Sequence, residues 1–161
     1  MSEIDKKNGP VAVTGASGYI GSRIVEDLLG QGYEVHACVR DSNNGKKVDH
    51  LIKLGNDAHN CDVQLFEGDL FEKGSYDDAF SGCISVIHAG ATVGFNRETP
   101  QEVYDGCFTE NEHVVESVKK SGSVKRLVFT SSFAAVAHPR PEGYIFTEED
   151  WCGDNVEAYK G

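Results

Sequence analysis

The chain has 161 residues, of which 39% are hydrophobic and 25% charged, a composition typical of one globular domain with a sizeable core. Twenty-six acidic against fifteen basic residues give a net charge of −11, which argues against nucleic acid and anionic membranes as partners. No apolar run approaches the roughly 20 residues of a membrane span, and five scattered cysteines give neither a disulfide framework nor zinc-ligand spacing. We therefore expect a cytoplasmic protein with no metal site.

Short apolar runs rich in β-branched residues predict five strands, in chain order at 11–14, 34–39, 63–67, 84–88 and 126–130. Apolar residues at helical spacing predict helices between them, at about 20–29, 43–54, 76–80 and 100–120. We expect Ser75 to cap the third helix and one stripe of the fourth to be apolar. Strands alternating with helices predict a single α/β domain over 1–161, with a parallel, doubly wound sheet.

A glycine-rich segment lies where the first strand turns into the first helix. Its residues are Gly15, Ala16, Ser17, Gly18, Tyr19, Ile20 and Gly21. The first glycine permits the tight turn, the second lets the backbone approach a pyrophosphate, and the third lets the helix pack closely on the strand. The amides and the positive end of the helix then face the phosphates. The sequence therefore predicts a dinucleotide-binding loop.

With Val13 and Thr14 in front of it, this Gly-x-x-Gly-x-x-Gly spacing resembles the cofactor loop of extended short-chain dehydrogenases/reductases. It is most similar to the branch of dihydroflavonol reductases, cinnamoyl-CoA reductases and yeast-type methylglyoxal/ketone reductases. The resemblance runs from about Gly9 to the last residue. It implies a Rossmann-like sheet that stops before the C-terminal substrate lobe, so that the chain is a fragment of a protein about twice as long.

The end of the second strand bears on the choice of nucleotide. A carboxylate there would bind the 2′-hydroxyl of NAD, whereas Arg40 can pair with the 2′-phosphate of NADP. The resemblance implies that Lys47 grips the same phosphate. Asp41 leaves a ribose contact open, but NADP(H) is favoured over NAD(H).

Further cofactor contacts are implied by the resemblance at the ends of the third and fourth strands. Asp69 would receive the adenine amino group and Leu70 would pack on the ring. The small residues Ala89, Gly90 and Ala91 would let the ribose and nicotinamide lie close. We expect His88 to be a structural histidine rather than a base.

The catalytic groups of the family are a serine after the fifth strand and a tyrosine in Tyr-x-x-x-Lys. Ser132 aligns with the serine, and Ser131 is expected to bond locally. Tyr159 aligns with the tyrosine in one reading, in which its lysine would be residue 163; in the other, the tyrosine lies beyond residue 161. The chain also departs from the family in the fourth helix, where Glu110 stands in place of a glycine.

The resemblance implies that the full protein transfers hydride from NADPH to a small-molecule aldehyde or ketone, as a monomer or homodimer. We expect the 161-residue chain alone to bind nucleotide weakly or not at all and to reduce nothing. Two alternatives stay open. One is an NAD-dependent sugar-nucleotide epimerase or dehydratase, and the other is a non-catalytic dinucleotide sensor.

Overall fold

Strands and helices alternate along the chain in the computed structural model, which describes residues 5–58, 61–92, 99–136 and 139–151. The strands are β1 (Val11–Thr14), β2 (Val35–Val39), β3 (Val63–Glu67), β4 (Ser85–His88) and β5 (Arg126–Phe129). The helices are α1 (Tyr19–Gly30), α2 (Gly45–Asp57), α3 (Asp77–Phe80) and α4 (Pro100–Ser121). Short 3₁₀ turns lie at Lys6–Asn8 and Phe133–Ala135. All the elements expected from the sequence are present, with ends that differ by up to three residues.

The five strands form one sheet in the order β3-β2-β1-β4-β5, and every neighbouring pair is parallel. The chain first builds the sheet outward from β1 through β2 to β3. It then returns to the other side of β1 to place β4 and β5. This reversal opens a crevice between the carboxyl ends of β1 and β4, where parallel α/β sheets bind their ligands. The expected doubly wound parallel sheet is confirmed.

Each face of the sheet has its own core. α1 and α2 cover one face, where the fully buried side chains are Val13, Val25, Val35 and Leu51. α3 and α4 cover the other face around Phe80. Strands covered on both faces are apolar throughout, which explains the continuous apolar runs of the central strands β1, β2 and β4.

One local expectation was wrong. Ser75 does not cap α3, because its hydroxyl donates instead to the backbone oxygen of Asp69, at 2.7 Å. The expected apolar stripe of α4 includes Val114 and Val118, which lie in or against the core, and the polar residues Glu110 and Ser117 are also buried. α4 ends before Gly122, which adopts the left-handed conformation at φ 65°.

None of the described helices combines the length and the apolar character needed to cross a membrane. Within the same residues, no group of three or more His, Cys, Asp and Glu side chains is placed to hold a metal ion.

Candidate dinucleotide-binding site

The start of α1 lies directly behind the end of β1. Gly18 is its N-cap and makes no side-chain capping hydrogen bond, and the first turn holds no acidic residue. The Ala16 amide donates to Cys38 O on β2, and the Gly18 amide donates to Gly15 O inside the turn. Ser22 N makes the first bond of the helix, to Gly18 O. Within the described part of the chain, the amides of Tyr19, Ile20 and Gly21 have no acceptor. A helix start with unfilled amides is a ready-made anion site.

Two glycines of the loop are required by close backbone contacts. Gly15 adopts φ 64°, and a Cβ on it would lie 2.8 Å from the Cα and N of Gly90. A Cβ on Gly21 would lie 2.1 Å from the carbonyl oxygen of Gly15. The turn after β1 is thus pressed against both the start of α1 and the end of β4. Ala16 is fully buried, and Ser17 is half-buried in the same turn.

A small hydrogen-bond network supports this turn from below. Thr14 and His88 are partners in the β1–β4 register, and Thr14 Oγ1 lies 2.6 Å from His88 Nδ1. The Gly90 amide donates to the same hydroxyl, at 3.3 Å. The hydroxyl therefore links the His88 ring to the Gly90 amide, and which of Thr14 Oγ1 and His88 Nδ1 is the donor depends on the tautomer of the ring. His88 is a structural histidine, as expected.

The surroundings of His88 keep it neutral. Burial lowers its pKa below the ordinary value, although a hydrogen bond with Asn111 and the charge of Glu110 act in the opposite direction. The ring is 4% exposed and packs edge-on against Phe129, with centroids 5.1 Å apart. These contacts fix the end of β4 between β1 and β5.

A cavity of about 410 Å³ opens at the carboxyl ends of β4 and β5. Its lining includes Gly90, Ala91, Glu110, Thr130 and Ser131. Glu110 is 3% exposed, and its carboxylate accepts from the Thr92 amide at 3.3 Å. Gly90 and Ala91 therefore lie together where a nicotinamide ribose was expected, beside a buried acidic side chain. A larger cavity of about 750 Å³ lies at the opposite edge, at the end of α1, away from the glycine loop.

The two expected catalytic residues are Ser132 and Tyr159, and Ser132 is not found in the lining of the smaller cavity. Ser132 is exposed and precedes the 3₁₀ turn at Phe133–Ala135, whose Ala135 amide donates to Ser132 O. Its neighbours Thr130 and Ser131, rather than Ser132, line the cavity. Tyr159 lies outside the described residues.

The residues expected on the adenosine side gather at the ends of β2 and β3. Arg40 follows β2, its side chain is 72% exposed, and its Nε lies 3.6 Å from Asp69 Oδ2. The other carboxylate oxygen of Asp69 accepts from the Phe71 amide at 2.9 Å. Lys47 is exposed in the first turn of α2. Leu70 is 7% exposed and packs in the core, with little surface left for an adenine ring.

Three features of the candidate site were not expected from the sequence. They are the Thr14 hydroxyl, the buried carboxylate of Glu110 and a hydrogen-bonded pair formed by Ser42 and Glu67. Each depends on contacts between residues at least 18 positions apart, which no local pattern reveals.

A parallel sheet with a strand reversal, and an uncapped, glycine-lined helix start beside that reversal, define a dinucleotide-binding protein of the Rossmann class. The chain belongs to the NAD dependent epimerase/dehydratase family, whose model matches residues 11–160. This confirms the resemblance to extended short-chain dehydrogenases/reductases.

The curated relatives are reductases by name. The chain is 44% identical to a cinnamoyl-CoA reductase of Medicago truncatula over 88% of its own length and 46% of the relative's. It is 42% identical to a dihydroflavonol 4-reductase of Arabidopsis thaliana over 88% and 37%. The solved structure of Gre2 from Candida albicans in complex with NADPH matches with a TM-score of 0.74 at 27% identity, over 88% of this chain and 43% of that one. The chain thus spans less than half the length of these relatives.

Proposed function

We propose that this chain is the cofactor-binding part of an NADPH-dependent reductase that converts an aldehyde or ketone to an alcohol. The observation that carries the proposal is the start of α1, whose unfilled amides face the crevice beside the Gly15–Gly90 contact. That cradle fits a diphosphate, because its amides of Tyr19, Ile20 and Gly21 have no acceptor among the described residues, and Gly15 and Gly21 let the backbone pack closely behind them. The names of the relatives, and the NADPH in one solved neighbour, support the same function.

The charges at the start of α2 support NADPH over NADH. No side chain caps this helix, and its first turn contains no acidic residue. Lys46 and Lys47 stand there instead, at the positive end of the helix dipole, where cations are unfavourable. An anion bound beside them would relieve that repulsion. Arg40 lies at the other end of the same loop, so the loop proposed to bind the 2′-phosphate has one cation at its start and two at its end.

In the proposed reduction, the cofactor and the protein supply different groups. A bound NADPH would supply the hydride. Ser132 would donate a hydrogen bond to the carbonyl oxygen and so stabilise the developing alkoxide. A tyrosine, either Tyr159 or one beyond residue 161, would donate the proton. The substrate is a small carbonyl compound, and the 161-residue chain by itself is proposed to be inactive.

A second candidate is an NAD-dependent epimerase or dehydratase. The Arg40–Asp69 ion pair favours it, because a guanidinium held by a carboxylate is partly neutralised. Asp41, the next residue, could then accept from a ribose hydroxyl.

We expect the chain alone to bind nucleotide weakly, so an NMR titration, which detects weak binding, with NADPH and with NADH tests the choice. We expect the chain to bind NADPH more tightly than NADH. Arg40→Ala should lower the affinity for NADPH about tenfold or more, with little effect on the affinity for NADH, because a charge-assisted phosphate contact contributes about 1.5–3 kcal/mol. Arg126→Ala is the control, because this exposed arginine begins β5 at the opposite edge of the sheet. Tighter NADH binding that Arg40→Ala leaves unchanged would support the second candidate. NADPH-dependent turnover by the 161-residue chain would refute its proposed inactivity.

A further inference from the structure

The loop that follows β2 is tied to the end of β3 by one pair of side chains. Glu67 Oε1 accepts two hydrogen bonds from Ser42, one from its hydroxyl at 2.7 Å and one from its backbone amide at 3.0 Å. The strands are already joined beneath this pair, since Val39 and Glu67 are register partners and the Gly68 amide donates to Val39 O. We call this pair the Ser42–Glu67 bridge.

The bridge lies in the middle of the loop proposed to bind the 2′-phosphate. Arg40 comes two residues before Ser42, and Lys46 and Lys47 come four and five residues after it. Asp41 orders the same loop locally, because its carboxylate accepts from the Asn43 amide at 3.0 Å. The bridge is the contact that fixes this local turn to the sheet.

The carboxylate of Glu67 also creates a conflict of charge. Its two hydrogen bonds from Ser42 lower its pKa below the ordinary value, so it stays ionised at neutral pH. A negative charge beside a phosphate site is repulsive, but the side chain is exposed and salt screens such charges over about 8–10 Å. Holding an exposed loop in one conformation removes an entropy cost that binding would otherwise meet. For a loop that carries cations at both ends, the ordering outweighs the screened repulsion.

We propose that Glu67 is a positioning residue for the 2′-phosphate, acting through Ser42 to hold the Arg40–Lys47 loop in its binding conformation. This inference rests on the proposed function, because it assumes that the loop binds the phosphate. It assigns specificity to a residue on β3 that acts through the side chain and the backbone amide of Ser42.

The test uses two probes that differ only in the phosphate. The chain is titrated by NMR with adenosine 2′,5′-bisphosphate and with adenosine 5′-monophosphate. Glu67→Ala and Ser42→Ala should each weaken the bisphosphate about fivefold, the effect of one ordinary hydrogen bond, and change the monophosphate less than about twofold. Glu67→Gln keeps both acceptor contacts without the charge, so it should bind the bisphosphate as tightly as the parent or more tightly. Glu112→Ala, an exposed position on α4, is the control.

Four results would overturn the inference. If Glu67→Ala tightens the bisphosphate as Glu67→Gln does, Glu67 is only a repulsive charge. If Glu67→Ala and Ser42→Ala weaken the binding of both probes equally, the bridge stabilises the whole nucleotide site and not the 2′-phosphate site in particular. Arg40→Ala separates this inference from the proposed function: if it leaves the preference for the bisphosphate unchanged, the proposed cofactor choice fails as well. If it removes that preference while Glu67→Ala does not, only the role of Glu67 is refuted.

Discussion

The helices α1 and α4 begin in opposite ways, although the strands before them, β1 and β4, lie side by side. α4 begins with a complete capping box, in which the Thr99 hydroxyl accepts from the Glu102 amide and the Glu102 carboxylate accepts from the Thr99 amide. Pro100 follows the cap and has no amide proton. α1 begins at an uncapped glycine, with no acidic residue in its first turn.

The difference separates a structural helix start from a binding one. In α4 the chain satisfies the exposed amides with its own side chains, which stabilises the helix and leaves nothing for a ligand. In α1 the same amides stay open, so the helix relies on the close contacts of Gly15 and Gly21 for its position. The cost of the open cap is recovered when an anion binds. The predictions that follow alter one helix start or the other, from the largest expected effect to the smallest.

The packing beneath α1 should tolerate no side chain at Gly21. Gly21→Ala would place a Cβ 2.1 Å from Gly15 O, and the backbone must move to accept it. We expect a loss of about 3 kcal/mol in the free energy of unfolding, measured by urea denaturation, together with loss of NADPH binding. Gly30→Ala is the matched control, because nothing lies within 4 Å of that position and alanine stabilises a helix by about 0.5–1 kcal/mol. Equal stability of both variants would contradict the close contact.

Giving α1 a cap should stabilise the helix and abolish its ligand site. Gly18 has φ −81° and ψ 171°, which any residue adopts, and a Cβ there would lie 3.2 Å from Gly15 O. Because this contact is tight, Gly18→Asp should gain at most a few tenths of a kcal/mol as an N-cap. Its carboxylate would occupy the amides and repel a diphosphate, and NADPH affinity should fall at least about tenfold. Gly18→Ser, a neutral cap, should have an intermediate effect. Unchanged NADPH binding by the Gly18→Asp variant would show that the diphosphate does not bind at this helix start.

The stability of the protein should depend on pH through His88, which is hydrogen-bonded to Thr14 beneath the glycine loop. Burial lowers the pKa of His88, so the unfolded chain takes up the proton before the folded chain does. Stability should therefore fall as the pH drops below about 6.5, by at most about 1.4 kcal/mol per pH unit. His88→Gln should flatten this slope between pH 7 and 5 in urea unfolding, whereas His50→Gln, at an exposed position on α2, should keep it. Parallel slopes in all three proteins would show that His88 does not titrate on unfolding.

Removing the cap of α4 should affect stability alone. Thr99→Ala deletes the acceptor of the Glu102 amide and should cost about 1 kcal/mol. NADPH binding should not change, because this helix start holds no ligand. Thr109→Ala, exposed in the middle of α4, controls for the loss of a threonine. A parallel loss of nucleotide affinity in the Thr99 variant would erase the distinction between the two helix starts.

The sheet and the glycine loop could be predicted from the sequence because their signals are local. Continuous β-branched runs identify strands buried on both faces, and the three-residue spacing of Gly15, Gly18 and Gly21 identifies the turn. The contacts that finish the site could not be predicted. Glu67 looks like an ordinary polar strand end until β2 is placed beside β3, and Glu110 looks exposed until α4 is packed. Ser75 failed as a cap because a backbone oxygen six residues away is a competitor that helical periodicity cannot show.

The outermost position of β5 has a consequence for handling the protein in solution. Among the described residues no strand pairs with its outer side, and its last residues Val128 and Phe129 are 42% and 41% exposed. Unsatisfied amides and carbonyls along such a border can join the same border of another copy. The net charge of −11 opposes such pairing at low ionic strength, and salt screens that repulsion. We therefore expect high-salt buffers to favour pairing of two copies through β5, which would join their sheets side by side.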